Sequence, residues 1–450
     1  MILMTILTTL VIFPMIGLAV DGAILYWTKA KLSAAVDAAA LAAARSLSVG
    51  QTIDEQRASA QAIGVQYLNA NFPSGWMGVS TNFTTANIDP EETGTRTRTV
   101  AVTASATVPL YFMRLLGESS ATVAASGQSS RRDLNLIMVL DRSGSMSASH
   151  SCGPMVAAAK NFMNNFAENR DRLGLITFQT AAADPPDVPP SLVFKTDITA
   201  KLDKLICNGN TSSAQALSLA YNQIHAIDEQ GALNVIVFFT DGVPNGVVAS
   251  YPPTPTTLCA VSKDASGNNS VGVGLISDSG GLYRVDQYVD TDQWNTALVD
   301  NKTCAFWSNP SRVSQDVLYI PSTDLYGNST SSDFTGYTDA PSVYFDRSAG
   351  TSQLTTAGRD NASINATFDA ARRIRKDLFD PSKQYKTVIY TIGLGLNAAG
   401  TKLIKAVAND PTSAYYDSTQ PVGEFVAASD ANGLNAAFQK IASEVLRLAR

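Results

Sequence analysis

The 450-residue chain has few of the side chains on which most enzymes and nucleic-acid-binding proteins depend. It contains only two histidines and four cysteines, and no two cysteines form a Cys-x-x-Cys pair. Charged residues make up 16% of the chain, below the roughly 25% of an average globular protein. With a formal net charge of -6 the sequence shows no basic stripe that could neutralise phosphates. These shortages argue against zinc, thioredoxin-like and nucleic-acid-binding functions.

Two predicted strands each end on an aspartate. Residues 136–140 are apolar throughout, as in a strand buried on both faces, and the sequence Asp141-Arg-Ser143-Gly-Ser145 follows. Residues 234–241 form a second such run, which ends on Asp241. Because ligands collect at the carboxyl ends of strands in an open α/β sheet, we expect both acids at one edge. A Gly/Asn-rich loop that opens a predicted helix contributes Thr211.

These segments supply the oxygen donors that a hard divalent cation requires. Mg²⁺ takes six oxygen ligands and usually keeps some water. Three hydroxyls and two carboxylates would leave room for water and for one outside ligand. The alternative is that the side chains only cap the helices that follow. Donors on three separate loops exceed what capping requires, which favours a metal site.

The pattern resembles a von Willebrand factor type A domain with an intact metal-ion-dependent adhesion site, over roughly residues 134–248 and 364–450. The resemblance implies one cation, usually Mg²⁺ with Mn²⁺ or Ca²⁺ as alternatives, and a protein partner that offers a carboxylate to it. The implied ligands are Asp141, Ser143, Ser145, Thr211 and Asp241. The alternation of strands and helices predicts the matching fold class, α/β with a doubly wound, mostly parallel sheet.

The first twenty residues carry no charged side chain, and only Asp21 interrupts the apolar run up to residue 27. About twenty apolar residues can span a bilayer as a helix, so we predict a retained transmembrane helix over residues 1–27. A cleaved signal peptide is the alternative. By the positive-inside rule, the basic residues that follow favour a cytoplasmic carboxyl side, which conflicts with export. Those residues are Lys29, Lys31 and Arg45.

A second resemblance covers about the first fifty residues. Residues 17–26, around Asp21, and residues 31–44, around Asp37, resemble the start of TadE/TadG-type proteins of Tad (Flp) pilus assembly. This implies a single-pass protein of the bacterial inner membrane, with the bulk of the chain in the periplasm or at the cell surface. It also implies pilus or pilus-assembly components as partners. Members of that family usually carry a basic stretch before the apolar run, and here the sequence begins inside the run, so the orientation stays open.

The remaining sequence predicts the domain organisation. Residues 28–130 read as a stalk helix and a small α+β domain, with alternating strands in residues 98–108 and 121–125 and a linker over residues 127–132. Residues 131–450 form the A domain. Residues 249–356 interrupt it with a polar insertion too long for a structureless loop, so we expect a small module beside the metal. A decorative or partly disordered insertion is the alternative.

The four cysteines lie where disulfides are plausible in an exported protein. Cys152 follows the Asp-x-Ser-x-Ser loop and Cys207 precedes the Thr211 loop, so we predict that these two pair on the metal-bearing face. Cys259 and Cys304 would then cross-link the insertion. Four free buried thiols are the alternative, since spacing alone does not fix connectivity.

The function predicted from the sequence is that of a binding protein and not of an enzyme. We expect a membrane-anchored, divalent-metal-dependent protein-binding component of Tad/Flp pilus assembly or of surface adhesion. One alternative is a minor pilus or pseudopilin-like structural subunit with the A domain at its tip. A metal-dependent hydrolase is a remote third possibility, because no clear general base lies beside the cation. A serine hydrolase that uses Ser143 and His150 is conceivable, but the chain has no Gly-x-Ser-x-Gly elbow and the same serines are better explained as metal ligands.

Overall fold

A computed structural model describes residues 2–47, 53–94, 97–229, 232–249, 356–377 and 385–449, together with short pieces between 251 and 284 and residue 326. The chain divides into two units, one formed by Met1–Asp133 with Leu448–Arg450 and the other by Leu134–Arg447.

The first unit packs two helices against an antiparallel sheet. Helix α1 (Ile2–Ser46) continues without a break from the apolar run into the Ala-rich segment, and α2 (Ile53–Asn71) comes next. Strand β3 is paired with β4 on one side and with β1 and β2 on the other. The strands are β1 (Ser80–Thr81), β2 (Ile88–Gly94), β3 (Thr97–Pro109) and β4 (Ser120–Arg132). Short 3₁₀ turns cover Trp76–Gly78, Thr85–Asn87 and Met113–Leu116.

The Ala-rich part of α1 supplies one face of the core of this unit. Its buried residues recur at helical spacing and meet the inward-facing valines of β3, as their alternation in the sequence predicts. The α1 residues are Leu32, Val36, Ala39, Ala40 and Ala43, with Leu47 directly after the helix, and the β3 residues are Val100, Val102 and Val108.

The predicted transmembrane segment over residues 1–27 is helical, but a membrane span is not supported. In the described part of the chain, no helix combines the length and the apolar character needed to cross a bilayer. Asp21, in the middle of the run, is buried against protein instead. Its carboxylate accepts hydrogen bonds from the backbone N–H groups of Tyr111, Phe112 and Met113 at 3.0, 3.0 and 2.7 Å.

The predicted linker over residues 127–132 is wrong. These residues continue β4, which pairs with β3 residue for residue from Ser120 to Arg132, and β5 begins at Leu134. The small polar residues that suggested a linker permit close packing on α1. A Cβ added at Gly127 would lie 2.7 Å from Asp37 Oδ1 and 3.0 Å from Val36 Cγ1, so the glycine marks a contact between helix and sheet.

The second unit is an α/β fold around a six-stranded mixed sheet, and the predicted α/β class is confirmed. The strand order is β15-β14-β8-β5-β6-β7, with every neighbouring pair parallel except β6 and β7. The strands are β5 (Leu134–Asp141), β6 (Arg172–Phe178), β7 (Val188–Ser191), β8 (Leu233–Thr240), β14 (Val388–Leu394) and β15 (Phe425–Ala428).

Helices cover both faces of this sheet, because alternate residues of its central strands point to opposite sides. Leu136 and Met138 of β5 lie in one apolar core, and Ile137 and Val139 lie in the other. The helices are α3 (Gly144–Ala148), α4 (Cys152–Met163), α5 (Lys195–Asp203), α6 (Ser213–Ile227), α7 (Thr356–Lys376), α8 (Ala398–Ala408) and α9 (Leu434–Leu448). A 3₁₀ turn, Ala431–Gly433, precedes α9.

The insertion begins as an antiparallel sheet. Strand β9 (Gly246–Ala249) pairs with β12 (Val273–Ile276), which pairs with β13 (Leu282–Arg284). Two-residue strands, β10 (Ser262–Lys263) and β11 (Asn269–Ser270), form a second pair. The predicted module over residues 249–356 lies mostly outside the described residues, as do Cys259 and Cys304 and their predicted disulfide.

Candidate metal centre

The two strand-end aspartates meet at one edge of the sheet. Strands β5 and β8 are parallel neighbours in which Leu140 pairs with Phe239. Asp141 is the last residue of β5, and Asp241 directly follows Thr240, the last residue of β8. The two acids therefore lie at adjacent strand ends. The structure thus brings together the two acids that the sequence places a hundred residues apart, at the edge where an open α/β sheet binds its ligands.

The serines of the Asp-x-Ser-x-Ser loop close the gap between the two acids. Ser145 Oγ donates a hydrogen bond to Asp241 Oδ1 at 2.7 Å, and Ser143 Oγ lies 3.4 Å from the same oxygen. The two serine hydroxyls are 3.0 Å apart. The backbone N–H of Ser143 donates to Asp141 Oδ1 at 2.8 Å. Oxygen atoms of four side chains thus surround one small volume.

Both carboxylates are held in an environment that disfavours their negative charge. Asp141 is completely buried. Burial, and then the nearby Asp241 carboxylate, raise the pKa of Asp141 to about 7, although hydrogen bonds from Thr240 and Ser143 oppose the shift. Burial also raises the pKa of Asp241. A cation between the two acids would oppose both shifts, because it stabilises the charged forms.

The loop that carries Thr211 is fastened to the Asp-x-Ser-x-Ser loop through the backbone. Gly144 N donates to Gly209 O at 2.9 Å. Thr211, which is buried, accepts hydrogen bonds at its carbonyl from the N–H groups of Asn245 and Gly246 at 2.9 and 3.1 Å. The Thr211 segment therefore connects the loop after β5 to the loop after β8.

Two further residues of the site escaped the sequence analysis. Thr240 Oγ1 donates to Asp141 Oδ2 at 2.5 Å and thereby fixes the second oxygen of that carboxylate. Asn245 Oδ1 accepts a hydrogen bond from Thr211 N at 2.9 Å. Thr240 could have been found from its position before Asp241 on the strand next to Asp141. Asn245 has no comparable signal, since its role depends on a loop conformation.

The donor set suits a hard cation. It combines two carboxylates with hydroxyl groups, which are ligands that Mg²⁺, Mn²⁺ and Ca²⁺ accept. Among the residues that the structure describes, no cluster of three or more His, Cys, Asp or Glu side chains is placed to hold a metal. A cation at this edge would therefore need hydroxyl ligands beside the two carboxylates.

A disulfide lies beside the site. Cys152, the first residue of α4, is bonded to Cys207, with their Cα atoms 6.0 Å apart. This is the pair that the sequence predicted. It connects the helix after the Asp-x-Ser-x-Ser loop to the segment that leads into Thr211.

Comparison with family models gives two matches. Residues 136–243 match the von Willebrand factor type A domain. Residues 1–46 match the putative Flp pilus-assembly TadE/G-like family. The first range includes all five implied ligands, and the second ends with α1.

The sequence is similar to two curated proteins. It is 29% identical over 110 residues to the uncharacterized protein YfbK of Escherichia coli (strain K12), covering 24% of this chain and 18% of that protein. It is 28% identical over 120 residues to the calcium-activated chloride channel regulator 3A-1 of Mus musculus, covering 25% of this chain and 13% of that protein. The chain thus spans less than a fifth of the length of the curated relatives that it matches.

Among solved structures, the von Willebrand factor domain of the type V pili tip protein Mfa5 from Porphyromonas gingivalis is similar. It shares 15% identity with a TM-score of 0.38, over 71% of this chain and 97% of that chain. The family matches, together with the sheet order and the loops at its edge, identify residues 136–243 as part of a von Willebrand factor type A domain and residues 1–46 as a TadE/G-like segment.

Proposed function

We propose that this protein is a divalent-metal-dependent protein-binding component of the bacterial cell envelope, acting in Tad-type pilus assembly or in adhesion. The metal-dependent part is carried by the convergence of the Ser143, Ser145 and Asp241 side chains within hydrogen-bond distance of one another, next to Asp141, which accepts from Ser143 N. The TadE/G-like match of residues 1–46 supports the connection to pilus assembly and to the envelope.

The chemistry of the site favours binding of an acidic partner. The residues that would hold the cation are Asp141, Ser143, Ser145, Thr211 and Asp241. When bound, the cation would supply a positive charge with a ligand position left for a carboxylate from another protein. Ser145 is exposed while Asp141 is buried, so the donor cluster opens to solvent on the side of Ser145, where a partner can approach.

Recognition is favoured over catalysis because the serine hydroxyls are already engaged. Ser143 Oγ contacts Ser145 and Asp241, which makes it part of the oxygen cluster and not a nucleophile aligned with an imidazole base. His225 is committed elsewhere, since its Nε2 lies 3.0 Å from Asp377 Oδ1. The serines that a hydrolase would need are thus better used as metal ligands.

Substitution of Asp241 by asparagine tests the proposal. Asp241→Asn keeps the shape of the side chain but removes one of the two charges that attract the cation. We expect Mg²⁺ affinity, measured by isothermal titration calorimetry, to fall by about a hundredfold or more, in line with loss of a charged ligand worth several kcal/mol. Partner capture from envelope extract should fail in the variant, as it should for the unchanged protein in chelator.

Asp187→Asn is the matched control. Asp187 accepts hydrogen bonds from the backbone and the hydroxyl of Thr177, so the change also neutralises a hydrogen-bonded carboxylate but leaves the metal site alone. Equal Mg²⁺ affinity in Asp241→Asn and in the unchanged protein would overturn the metal assignment. Capture of the same partners in chelator would overturn metal-dependent binding.

A further inference from the structure

Arg142, the residue between Asp141 and Ser143, contacts both neighbouring loops. Its backbone N–H donates to Phe178 O at 2.9 Å, and its carbonyl accepts from Asn208 N at 2.9 Å. Its guanidinium is turned away from the site and donates from Nη1 to Ile206 O at 3.3 Å. The side chain is 4% exposed, so it forms part of the packing behind the loop.

Gln179, directly after β6, completes the connection. With its carboxamide oriented so that the oxygen faces the guanidinium, it accepts from Arg142 Nη1 and Nη2 at 3.2 and 3.3 Å. Its nitrogen then donates to both Asn208 O and Asn208 Oδ1 at 2.7 and 2.6 Å. Its own carbonyl accepts from Ser212 N at 2.7 Å. Gln179 therefore bonds on both sides of Thr211, through its side chain to Asn208 and through its main-chain carbonyl to Ser212. Its side chain also bonds to the Asp-x-Ser-x-Ser loop through Arg142.

The backbone conformation of Gly209 fits the position of the Gln179 side chain. Its φ of +77° is in the left-handed region. A Cβ at this position would lie 2.2 Å from the terminal amide of Gln179 and 3.0 Å from Thr180 Oγ1. The backbone of the loop thus lies directly on the Gln179 side chain. The adjacent Cys207 ties the same loop to α4 through its disulfide.

We propose that Arg142 and Gln179 are positioning residues, which fix the Thr211 loop against the Asp-x-Ser-x-Ser loop and so set the affinity of the cation site without contacting the cation. The proposal rests on the proposed function, because it concerns the same metal centre. The physical reason is preorganisation. A loop that is held in place before binding loses less conformational freedom when the cation arrives. Outer residues of this kind typically change metal affinity by about tenfold to a hundredfold.

Gln179→Leu removes the polar end of the bridge at similar side-chain size. We expect Mg²⁺ to bind about tenfold or more weakly, by calorimetry on the full chain. Gln179→Glu still accepts from Arg142 but no longer donates to Asn208, so its affinity should lie between those of the leucine variant and the unchanged protein. A general loss of packing would not restore Mg²⁺ affinity in Gln179→Glu, so an intermediate affinity would reflect the retained bond from Arg142.

Gln420→Leu is the matched control. Gln420 is also a buried glutamine that accepts from an arginine, at 3.0 Å from Arg375 Nε, but its other bond runs to Asp417, in the loop between α8 and β15. Loss of this pair should lower stability without changing Mg²⁺ affinity. If Gln420→Leu weakens Mg²⁺ binding as much as Gln179→Leu does, the positioning role is refuted.

A second measurement needs no metal. In chelator, the Gly144 amide, which donates to Gly209 O, should exchange with deuterium at least about tenfold faster in Gln179→Leu than in the unchanged protein and in Gln420→Leu, because the bridge that closes the two loops is lost. Unchanged exchange would overturn the proposal even if the leucine variant bound Mg²⁺ poorly. Failure of the unchanged protein to bind Mg²⁺ would instead overturn the proposed function, while the exchange rates would still report whether the bridge holds the loops.

Discussion

At the scale of single residues, Asp141 is the side chain whose environment says most about this protein. It is buried with a second carboxylate beside it. The Thr240 hydroxyl and the Ser143 backbone N–H donate hydrogen bonds to its two oxygens. A fold gains nothing in stability from two such acids at neutral pH. A cation would offset both charges, which agrees with the binding site that we propose at this edge of the sheet.

The raised pKa of Asp141 predicts how stability depends on pH in chelator. Its pKa in the folded protein is about 7, above the ordinary value near 4 of the unfolded chain. The folded state therefore holds the proton more tightly, so this contribution to stability is complete below about pH 4 and is lost as the pH rises through 7. We expect the melting temperature of the unchanged protein in chelator to fall between pH 5.5 and pH 8, relative to that of Asp141→Asn. A constant difference between the two would contradict the shift.

At the scale of elements, the loops that follow the strands are fixed by covalent and steric constraints. The Cys152–Cys207 disulfide joins positions 55 residues apart in the sequence. In the same unit, Gly209 and Gly423 occupy turns where a side chain would collide with neighbouring atoms. These constraints determine where the loops lie, because a loop has no apolar face of its own to hold it against the sheet.

Removal of the disulfide should destabilise the second unit. For a closed loop of this length, the lost restriction of the unfolded chain corresponds to about 4 kcal/mol. The double variant Cys152→Ser with Cys207→Ser should therefore show a free energy of unfolding lower by about that amount, measured by denaturant titration. Reduction of the unchanged protein should produce a similar loss. A difference below about 1 kcal/mol in both experiments would show that the bond does not restrain this unit.

Gly423, in the turn before β15, should not tolerate a side chain. A Cβ there would lie 1.9 Å from Ile389 O and 2.8 Å from Ala408 O, and backbone atoms cannot move aside cheaply. We expect Gly423→Ala to lower the free energy of unfolding by about 3 kcal/mol or more. Gly153→Ala, in α4 where a Cβ meets nothing within 4 Å, should stabilise the protein by up to about 1 kcal/mol. Equal unfolding midpoints for the two variants would contradict this account.

At the scale of the whole molecule, the family resemblance of the N-terminal segment and the proposed binding site belong to different units. The TadE/G-like segment lies in the first unit, and the five proposed ligands lie in the second. Each unit has its own apolar core. The proposed metal binding therefore belongs to the second unit alone.

This division predicts that residues 134–450, produced without the first unit, keep the Mg²⁺ affinity of the full chain within about threefold. Mg²⁺ at a hundred times the dissociation constant should raise the stability of either protein by about 2.7 kcal/mol, because it binds only the folded form. Thermal unfolding with Mg²⁺ and with chelator measures both effects. A shorter protein that folds but does not respond to Mg²⁺ would show that residues 1–133 contribute to the site.

Sequence patterns alone determined the α/β class, the apolar faces of α1 and β3, and the two strand-end acids. Periodicity predicts them because it depends on which residues are buried, and burial follows from hydrophobicity. The same reasoning failed for residues 127–132, where small polar residues continue a strand. It also predicted a transmembrane helix over residues 1–27, which the described part of the structure does not support.

Only the tertiary structure decided how the loops at the sheet edge meet. The bonds from Gln179 to Arg142 and Asn208, and from Thr240 to Asp141, join residues on different strands and loops. No local pattern encodes such pairs, because a polar side chain has the same local propensity whether it faces solvent or a buried partner. The sequence thus supplied the oxygen donors of the candidate site, whereas the strand order and the loop contacts brought them to one point.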